Sequence, residues 1–176
     1  MSGHNKWSKI KRQKEKTDSQ KSKIFGKMVK LITVEAKKAG GNLASPGLKN
    51  AIEKAKAVNV PNDNIERAIK KSTEAGAAME SITYEAYGPG GCGIIIESLT
   101  DNRNKAAQEI KHILSEHGYS LAGIGSVTWA FERTPDMEWN PTSTIPLSED
   151  DGEKLSELVD SLEENDEVQD VYTNAE

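Results

Sequence analysis

The fold is decided by residues 82–96, ITYEAYGPGGCGIII, where the spacing of apolar residues changes. Apolar side chains at 82, 84 and 86 alternate with Thr83, Glu85 and Tyr87, a period of two that is typical of a β-strand. The glycine-rich segment at 88–91 then turns the chain into a run of three isoleucines at 94–96. These features predict a β-hairpin.

Downstream of this hairpin the apolar residues follow two periods. Helical spacing predicts a helix over residues 102–117, and Ser148 as N-cap predicts the start of a last helix. Alternating apolar residues predict a third strand over 127–131 and a short final strand over 168–172. The downstream half therefore contains helices and strands in alternation.

Prolines at 135, 141 and 146 predict a loop over residues 134–147. The resulting order, ββαβαβ, favours an α/β sandwich with a mostly antiparallel four-stranded sheet and helices on one face. We expect this acidic domain to occupy residues 77–176.

Upstream of residue 77 the helical period predominates. Apolar residues from Ile24 to Ala36 predict an amphipathic helix, and Pro46 at a first helical position predicts a second one. A third helix opens after Pro61, where Asp63 and Glu66 have capping-box spacing. The sequence therefore predicts an α+β protein of two domains, the first a three-helix bundle.

We expect that first, basic domain to occupy residues 1–76. Its opening segment, 1–18, has almost no apolar residues to bury and predicts a mobile basic arm.

Charge divides the chain into two unlike parts. The formal net charge is −5, yet residues 1–75 hold 18 of the 23 Lys+Arg and only 7 of the 28 Asp+Glu. The net charge of those residues is +11, and that of the remainder is −16. Such asymmetry predicts a module that binds polyanions, joined to one that repels them or meets a basic partner.

The candidate nucleic-acid contacts are the cations of the arm and of the first helix. Trp7 lies among the arm cations, where an exposed indole can stack on an unpaired base, worth ~1–3 kcal/mol. The helix lysines fall mainly off the apolar stripe, so a packed helix turns them toward solvent. A solvated face that only aids solubility is the alternative. The predicted contacts are Lys6, Trp7, Lys9, Lys11, Arg12, Lys14, Lys16, Lys21, Lys23, Lys27 and Lys30.

No pattern in the sequence indicates catalysis, a metal or a cofactor. The single cysteine, Cys92, has no nearby histidine or cation to activate a thiolate. His112 and His117 are five residues apart on a helix, off the i, i+4 spacing of a metal-binding pair. The glycine-rich segment at 88–91 joins two strands and lacks the Lys-Ser/Thr ending of a phosphate cradle. We expect a non-enzymatic protein without a small-molecule substrate.

No stretch approaches the about 18 apolar residues that a membrane span needs, and the N-terminus lacks the apolar centre of a signal peptide. We therefore expect a cytoplasmic protein with no membrane partner. No helix-turn-helix, zinc-finger or RNP signature separates DNA from RNA as the target.

Several motifs, in order along the chain, resemble one family. The motifs are GHNKWSKIK at 3–11, VPNDNIERAIKK at 60–71, YEAYGPGG at 84–91, LTDNRN at 99–104, GSV at 125–127 and DEVQDVYTN at 166–174. With these motifs the sequence is similar to the YebC/PmpR family, which includes the mitochondrial translational activator of cytochrome c oxidase subunit I.

The resemblance implies a helical N-terminal domain and an α/β second domain. Family members usually carry a third domain, inserted between the strand ending at residues 131–133 and the final helix. This chain has only the loop at 134–147 in that place. The sequence therefore resembles a compact form of the family.

Two functional descriptions attach to the family: DNA-binding transcriptional regulators, and ribosome-associated factors that help translation. The resemblance implies nucleic-acid contact at the arm motif, whereas the lysines at 21–30 rest on charge alone. Two family motifs also include a candidate partner loop, made of Gly88, Pro89, Gly90 and Gly91 with Arg103, for which a structural role in the turn is the alternative. We expect a ribosome-associated translation factor that binds rRNA. A DNA-binding transcriptional regulator is the alternative, and a protein-interaction adaptor is a third possibility.

Overall fold

The structure is a computed structural model that describes residues 18–74 and 79–176. Within these residues the chain divides into two compact units. The helical unit comprises residues up to 81 together with 99–102, and the α/β unit comprises 82–98 and 103–176. The predicted arm lies outside the described residues except for Asp18, which begins the first helix.

The helical unit contains three helices: α1 (Asp18–Lys38), α2 (Pro46–Ala57) and α3 (Asn62–Ser72). Gly40 and Gly41 end α1 with φ angles of 59° and 81°, in the left-handed region that glycine adopts without strain. Pro46 stands at the first turn of α2, as its sequence predicts.

One apolar core joins the three helices. Each helix contributes side chains at helical spacing, and packing their apolar faces together removes them from water. The buried residues are Ile32, Ala36, Leu48, Ala51, Ala55, Val60, Ile65 and Ala68.

The start of α3 differs from the prediction of a capping box. Pro61 occupies the N-cap position and no side chain caps the helix. Asp63 therefore lies inside the first turn, where a carboxylate complements the helix dipole without closing a cap.

The α/β unit contains β1 (Glu80–Tyr87), β2 (Gly93–Thr100), α4 (Arg103–Glu116), β3 (Phe131–Arg133), β4 (Trp139–Pro141), α5 (Glu149–Glu164) and β5 (Val168–Thr173). The mixed α+β class is confirmed. The main sheet has the order β1-β2-β5, with β2 and β5 antiparallel, and β3 pairs with β4 in a separate hairpin. The predicted four-stranded sheet is therefore a three-stranded sheet with a two-stranded hairpin beside it.

The central strand β2 is buried along its whole length because both of its faces are covered. Ile94 and Ile96 pack against residues of α4 and α5, including Ile110 and Leu158. On the other face Ile95 packs with a second cluster that includes Phe131. The run of three isoleucines has its physical reason here, since a strand buried on both faces needs apolar residues in succession.

The predicted third strand over 127–131 is wrong in its first part. Thr128–Ala130 form a 3₁₀ turn, and only Phe131 enters a strand. The carboxylate of Glu85 accepts the N–H groups of Gly125 (2.7 Å), Val127 (2.9 Å) and Thr128 (2.8 Å). Because these donors are used by a side chain, they cannot join a strand ladder.

Part of the predicted loop at 134–147 is also ordered as a strand. Phe131–Arg133 pairs with Trp139–Pro141, and Met137 at the turn has a φ of 64°. Glu97 anchors this hairpin to the sheet, because its Oε1 accepts from the Trp139 indole at 2.7 Å and from the Thr83 hydroxyl at 2.8 Å.

Candidate nucleic-acid interface

The lysines predicted on α1 do not all lie on one side of it. Lys23, Lys27 and Lys30 are spaced i, i+4 and i+7, so they follow one stripe of the helix, whereas Lys21 projects from another side. Lys21 and Lys23 are exposed, and Lys27 and Lys30 are half-buried. Lys23, Lys27 and Lys30 each take part in an interaction with another group of the chain. The α1 stripe is therefore partly engaged, and Lys21 is the freer cation.

Helix α3 adds cations that the sequence prediction left out. Arg67, Lys70 and Lys71 are exposed on the helix whose apolar side chains Ile65 and Ala68 are buried. A signal was available in the sequence, because i, i+3 and i+4 spacing places three cations on one helix face. The apolar period of α3 indicates its buried face, and its charge pattern indicates the exposed face.

The two parts of the candidate partner loop are not brought together. The 88–91 segment precedes β2 and Arg103 follows it, and an eight-residue strand spans roughly 25 Å. Gly88 and Pro89 are buried, which leaves Gly90 and Gly91 exposed. These two glycines have φ angles of 67° and 79°, and a Cβ at Gly90 would also lie 2.6 Å from Leu147 Cδ2, so the turn needs glycine for structural reasons.

Cys92 is fully buried, and burial raises the pKa of its thiol to about 11. Such a thiol stays protonated at neutral pH and is a poor nucleophile. His112 Nε2 lies 3.0 Å from Glu116 Oε1, and His117 Nε2 lies 3.1 Å from the Ser161 hydroxyl. Both histidines therefore have local structural partners.

Across residues 18–74 and 79–176, no three histidine, cysteine or acidic side chains are grouped as a metal site would require. Within the same ranges no helix has the length and apolar character to cross a membrane.

Sequence models of one protein family match this chain from residue 5 to residue 75 and from residue 79 to residue 175. The sequence model of the TACO1/YebC protein N-terminal domain matches residues 5–75. The model of the TACO1/YebC second and third domain matches in two pieces, 79–135 and 134–175, which meet at the β3–β4 turn.

Full-length relatives are similar at moderate identity. A probable transcriptional regulatory protein of Thermoanaerobacter pseudethanolicus is 40% identical over 239 aligned positions, covering 100% of this chain and 97% of the relative. A protein of the same description from Caldanaerobacter subterraneus is 37% identical, with 100% and 98% covered. Since 239 aligned positions face only 176 residues, at least 63 positions of the first alignment have no counterpart in this chain.

A solved structure shares the fold. The crystal structure of the conserved hypothetical protein Aq1575 from Aquifex aeolicus superposes with a TM-score of 0.86 at 30% identity, covering 98% of this chain and 97% of that one. With both family models matched in order and full-length relatives near 40% identity, the chain belongs to the TACO1/YebC family.

Proposed function

We propose that this protein is a nucleic-acid-binding regulatory factor of gene expression that acts as a ribosome-associated translation factor. The observation that carries the proposal is the separation of charge, with a net +11 in residues 1–75 and −16 in the remainder. A basic module gathers phosphates by Coulomb attraction, and an acidic module keeps the rest of the chain away from the same polyanion.

The positive charge of the basic module supports the proposal, because it is carried by Lys and Arg side chains suited to phosphate contact. Cations on the arm and on exposed helix positions contact a phosphate backbone without reading base edges. Ribosomal RNA offers a dense, folded array of phosphates together with unpaired bases, on which Trp7 can stack. Because the sequence has no motif that reads a DNA groove, we place ribosomal RNA ahead of DNA as the target.

A DNA-binding transcriptional regulator is the second candidate. The observation in its favour is the description of the relatives from Thermoanaerobacter and Caldanaerobacter, both named probable transcriptional regulatory proteins. Contacts to phosphate alone fit duplex DNA as well as RNA.

Ribosome co-sedimentation, set beside duplex-DNA binding across a salt series, separates the two candidates. The intact chain is compared with a variant in which Lys6, Lys9, Lys11 and Arg12 are alanine. The matched control exchanges Lys and Arg at the same four positions and keeps the charge. The translation proposal predicts ribosome association that is lost in the alanine variant and kept in the control, with only weak, sequence-independent DNA binding. Tight, sequence-dependent DNA binding without ribosome association would instead establish the transcriptional candidate.

A further inference from the structure

Three cations form one surface on α3, here named the α3 cation cluster: Arg67, Lys70 and Lys71. Their spacing of i, i+3 and i+4 puts them on neighbouring positions of a single helix face. All three are exposed, while Ile65 and Ala68 turn to the core. The cluster is therefore presented to solvent by a helix that is fixed by its apolar side.

The cluster is unpaired although acidic partners are available at favourable spacing. Asp63 precedes Arg67 by four residues and Glu66 precedes Lys70 by four, the arrangement in which i, i+4 ion pairs form most readily. Among the described residues, however, no carboxylate lies within 4.0 Å of any of the three cations. The positive charges are thus left available for a ligand.

Two residues of the cluster, Arg67 and Lys71, also line a groove. Val29 of α1 and Asn64, Arg67, Ala68 and Lys71 of α3 line a shallow depression of about 210 Å³. The lining combines two apolar side chains, Val29 and Ala68, with a guanidinium, an ammonium and a side-chain amide. Apolar surface next to cationic and amide donors matches the alternation of sugar and phosphate along a nucleic-acid strand.

The helix dipole explains only part of this arrangement. Lys70 and Lys71 lie in the last turn of α3, where cations complement the negative end of the helix. Arg67 lies in the middle of an eleven-residue helix, beyond the turn over which that effect acts. Arg67 lines this groove and also a second depression, whose other lining residues are Asp63, Glu66 and Lys70.

We propose that the α3 cation cluster and the adjoining groove form a second phosphodiester-binding surface, which holds the backbone of a single RNA strand independently of the N-terminal arm. Arg67 donates to phosphate oxygens in bidentate geometry, and Lys71 contacts the next phosphate as a point charge. This inference rests on the proposed function, since it names further contacts for the same ligand class.

The test is a salt series of binding to a single-stranded RNA oligonucleotide, using the full chain with Arg67→Gln and Lys71→Gln. The matched control is Lys111→Gln with Lys154→Gln, which removes the same charge from exposed helix positions of the α/β unit. Circular dichroism verifies that both double variants fold. The α3 variant is expected to lower the slope of log K against log salt by about 1.4 and to weaken binding roughly tenfold at about 0.1 M salt. The control is expected to leave both values near those of the intact chain.

Other outcomes separate this inference from the proposed function. Unchanged RNA binding by the α3 variant, alongside weakened binding by the Lys6, Lys9, Lys11 and Arg12 alanine variant, would overturn the α3 surface and keep the arm. An equal loss in the α3 variant and its control would show an effect of overall charge and would also overturn the surface. No RNA binding by the intact chain would overturn the proposed function itself. A duplex-DNA series run in parallel shows whether the surface prefers RNA.

Discussion

In the α/β unit two buried carboxylates are engaged by hydrogen-bond donors, whereas in the described part of the helical unit the cations of α3 form no ion pair. Glu85 accepts three backbone N–H groups, and Glu97 accepts from Trp139 and Thr83. Paired charge of this kind holds a loop or a hairpin in place. An exposed cation without an ion pair contributes less to the fold, and we propose that the cations of α3 serve a partner instead.

The largest expected effect tests the cations of the arm. Replacing Lys6, Lys9, Lys11 and Arg12 with alanine removes four potential phosphate contacts, so the affinity for single-stranded RNA is expected to fall about a hundredfold at about 0.1 M salt. The free energy of unfolding, measured by urea denaturation, is expected to stay within about 0.5 kcal/mol of the parent, because the sequence of this segment has almost no apolar side chains to bury. A large loss of stability would show that these cations support the fold, contrary to the proposed division between structural charges and binding charges.

The next effect is on stability and not on binding. Glu85→Gln is expected to destabilise the fold and to leave RNA binding unchanged. The amide nitrogen of glutamine cannot accept an N–H, so at least one of the donors at Gly125, Val127 and Thr128 loses its partner. We expect a destabilisation of about 1–3 kcal/mol by urea denaturation.

The matched control for that substitution is Glu157→Gln on the exposed side of α5. It removes the same charge and is expected to change the free energy of unfolding by less than about 0.5 kcal/mol. Equal destabilisation by both substitutions would mean that the hydrogen bonds of Glu85 contribute nothing specific.

A smaller effect concerns pH. Burial alone raises the pKa of Glu85, but the N–H groups of Gly125, Val127 and Thr128 outweigh it and hold the pKa below 4.5. A lowered pKa in the folded state gives stability that is fully present above the unfolded value and is lost as pH falls through the folded value. The stability difference between the parent and Glu85→Gln is therefore expected to be constant from about pH 7 to about pH 5 and to shrink below about pH 4. Urea denaturation at these pH values checks it, and a difference that grew on acidification would contradict the assignment.

The smallest effect is a gain. Asp63 and Glu66 line a depression together with Arg67 and Lys70, so replacing them with asparagine and glutamine removes two negative charges next to the proposed phosphate site. Affinity for single-stranded RNA is expected to rise about two- to fivefold at low salt, measured by fluorescence anisotropy, and the gain is expected to fade as salt screens it. Weaker RNA binding by this variant would count against the α3 cation cluster as a phosphate-binding surface.

Local patterns predicted most of the elements. Pro46 predicted the start of α2, Ser148 the start of α5, and the three isoleucines at 94–96 a strand. Helical and strand periods, caps and turn residues are determined by near neighbours in the chain, so they are visible in the sequence.

The failures come from contacts between distant residues. The 3₁₀ turn at Thr128–Ala130 depends on Glu85, some forty positions earlier, and the β3–β4 hairpin depends on Glu97. No local pattern shows that a carboxylate will take the N–H groups of a segment whose apolar residues alternate like those of a strand. Prolines at 135, 141 and 146 likewise favoured a loop, although Pro141 occupies the end of β4.

For the candidate interface, the sequence indicated that the helical unit is basic but not which cations are free. Lys23, Lys27 and Lys30 were predicted contacts and are engaged within the chain, whereas Arg67 was not predicted and forms no ion pair within the described residues. Whether a cation is paired depends on side-chain positions that spacing alone does not determine.

The salt dependence of RNA binding by the intact chain tests most directly whether the basic module binds RNA through phosphate contacts. If the cations of the basic module contact phosphates, as proposed, log K for a single-stranded RNA oligonucleotide falls linearly with log salt, with a slope of about −4 or steeper for six or more contacts. A slope near zero, or no binding at about 0.05 M salt, would contradict the account, because a module that does not respond to salt does not bind through its charges.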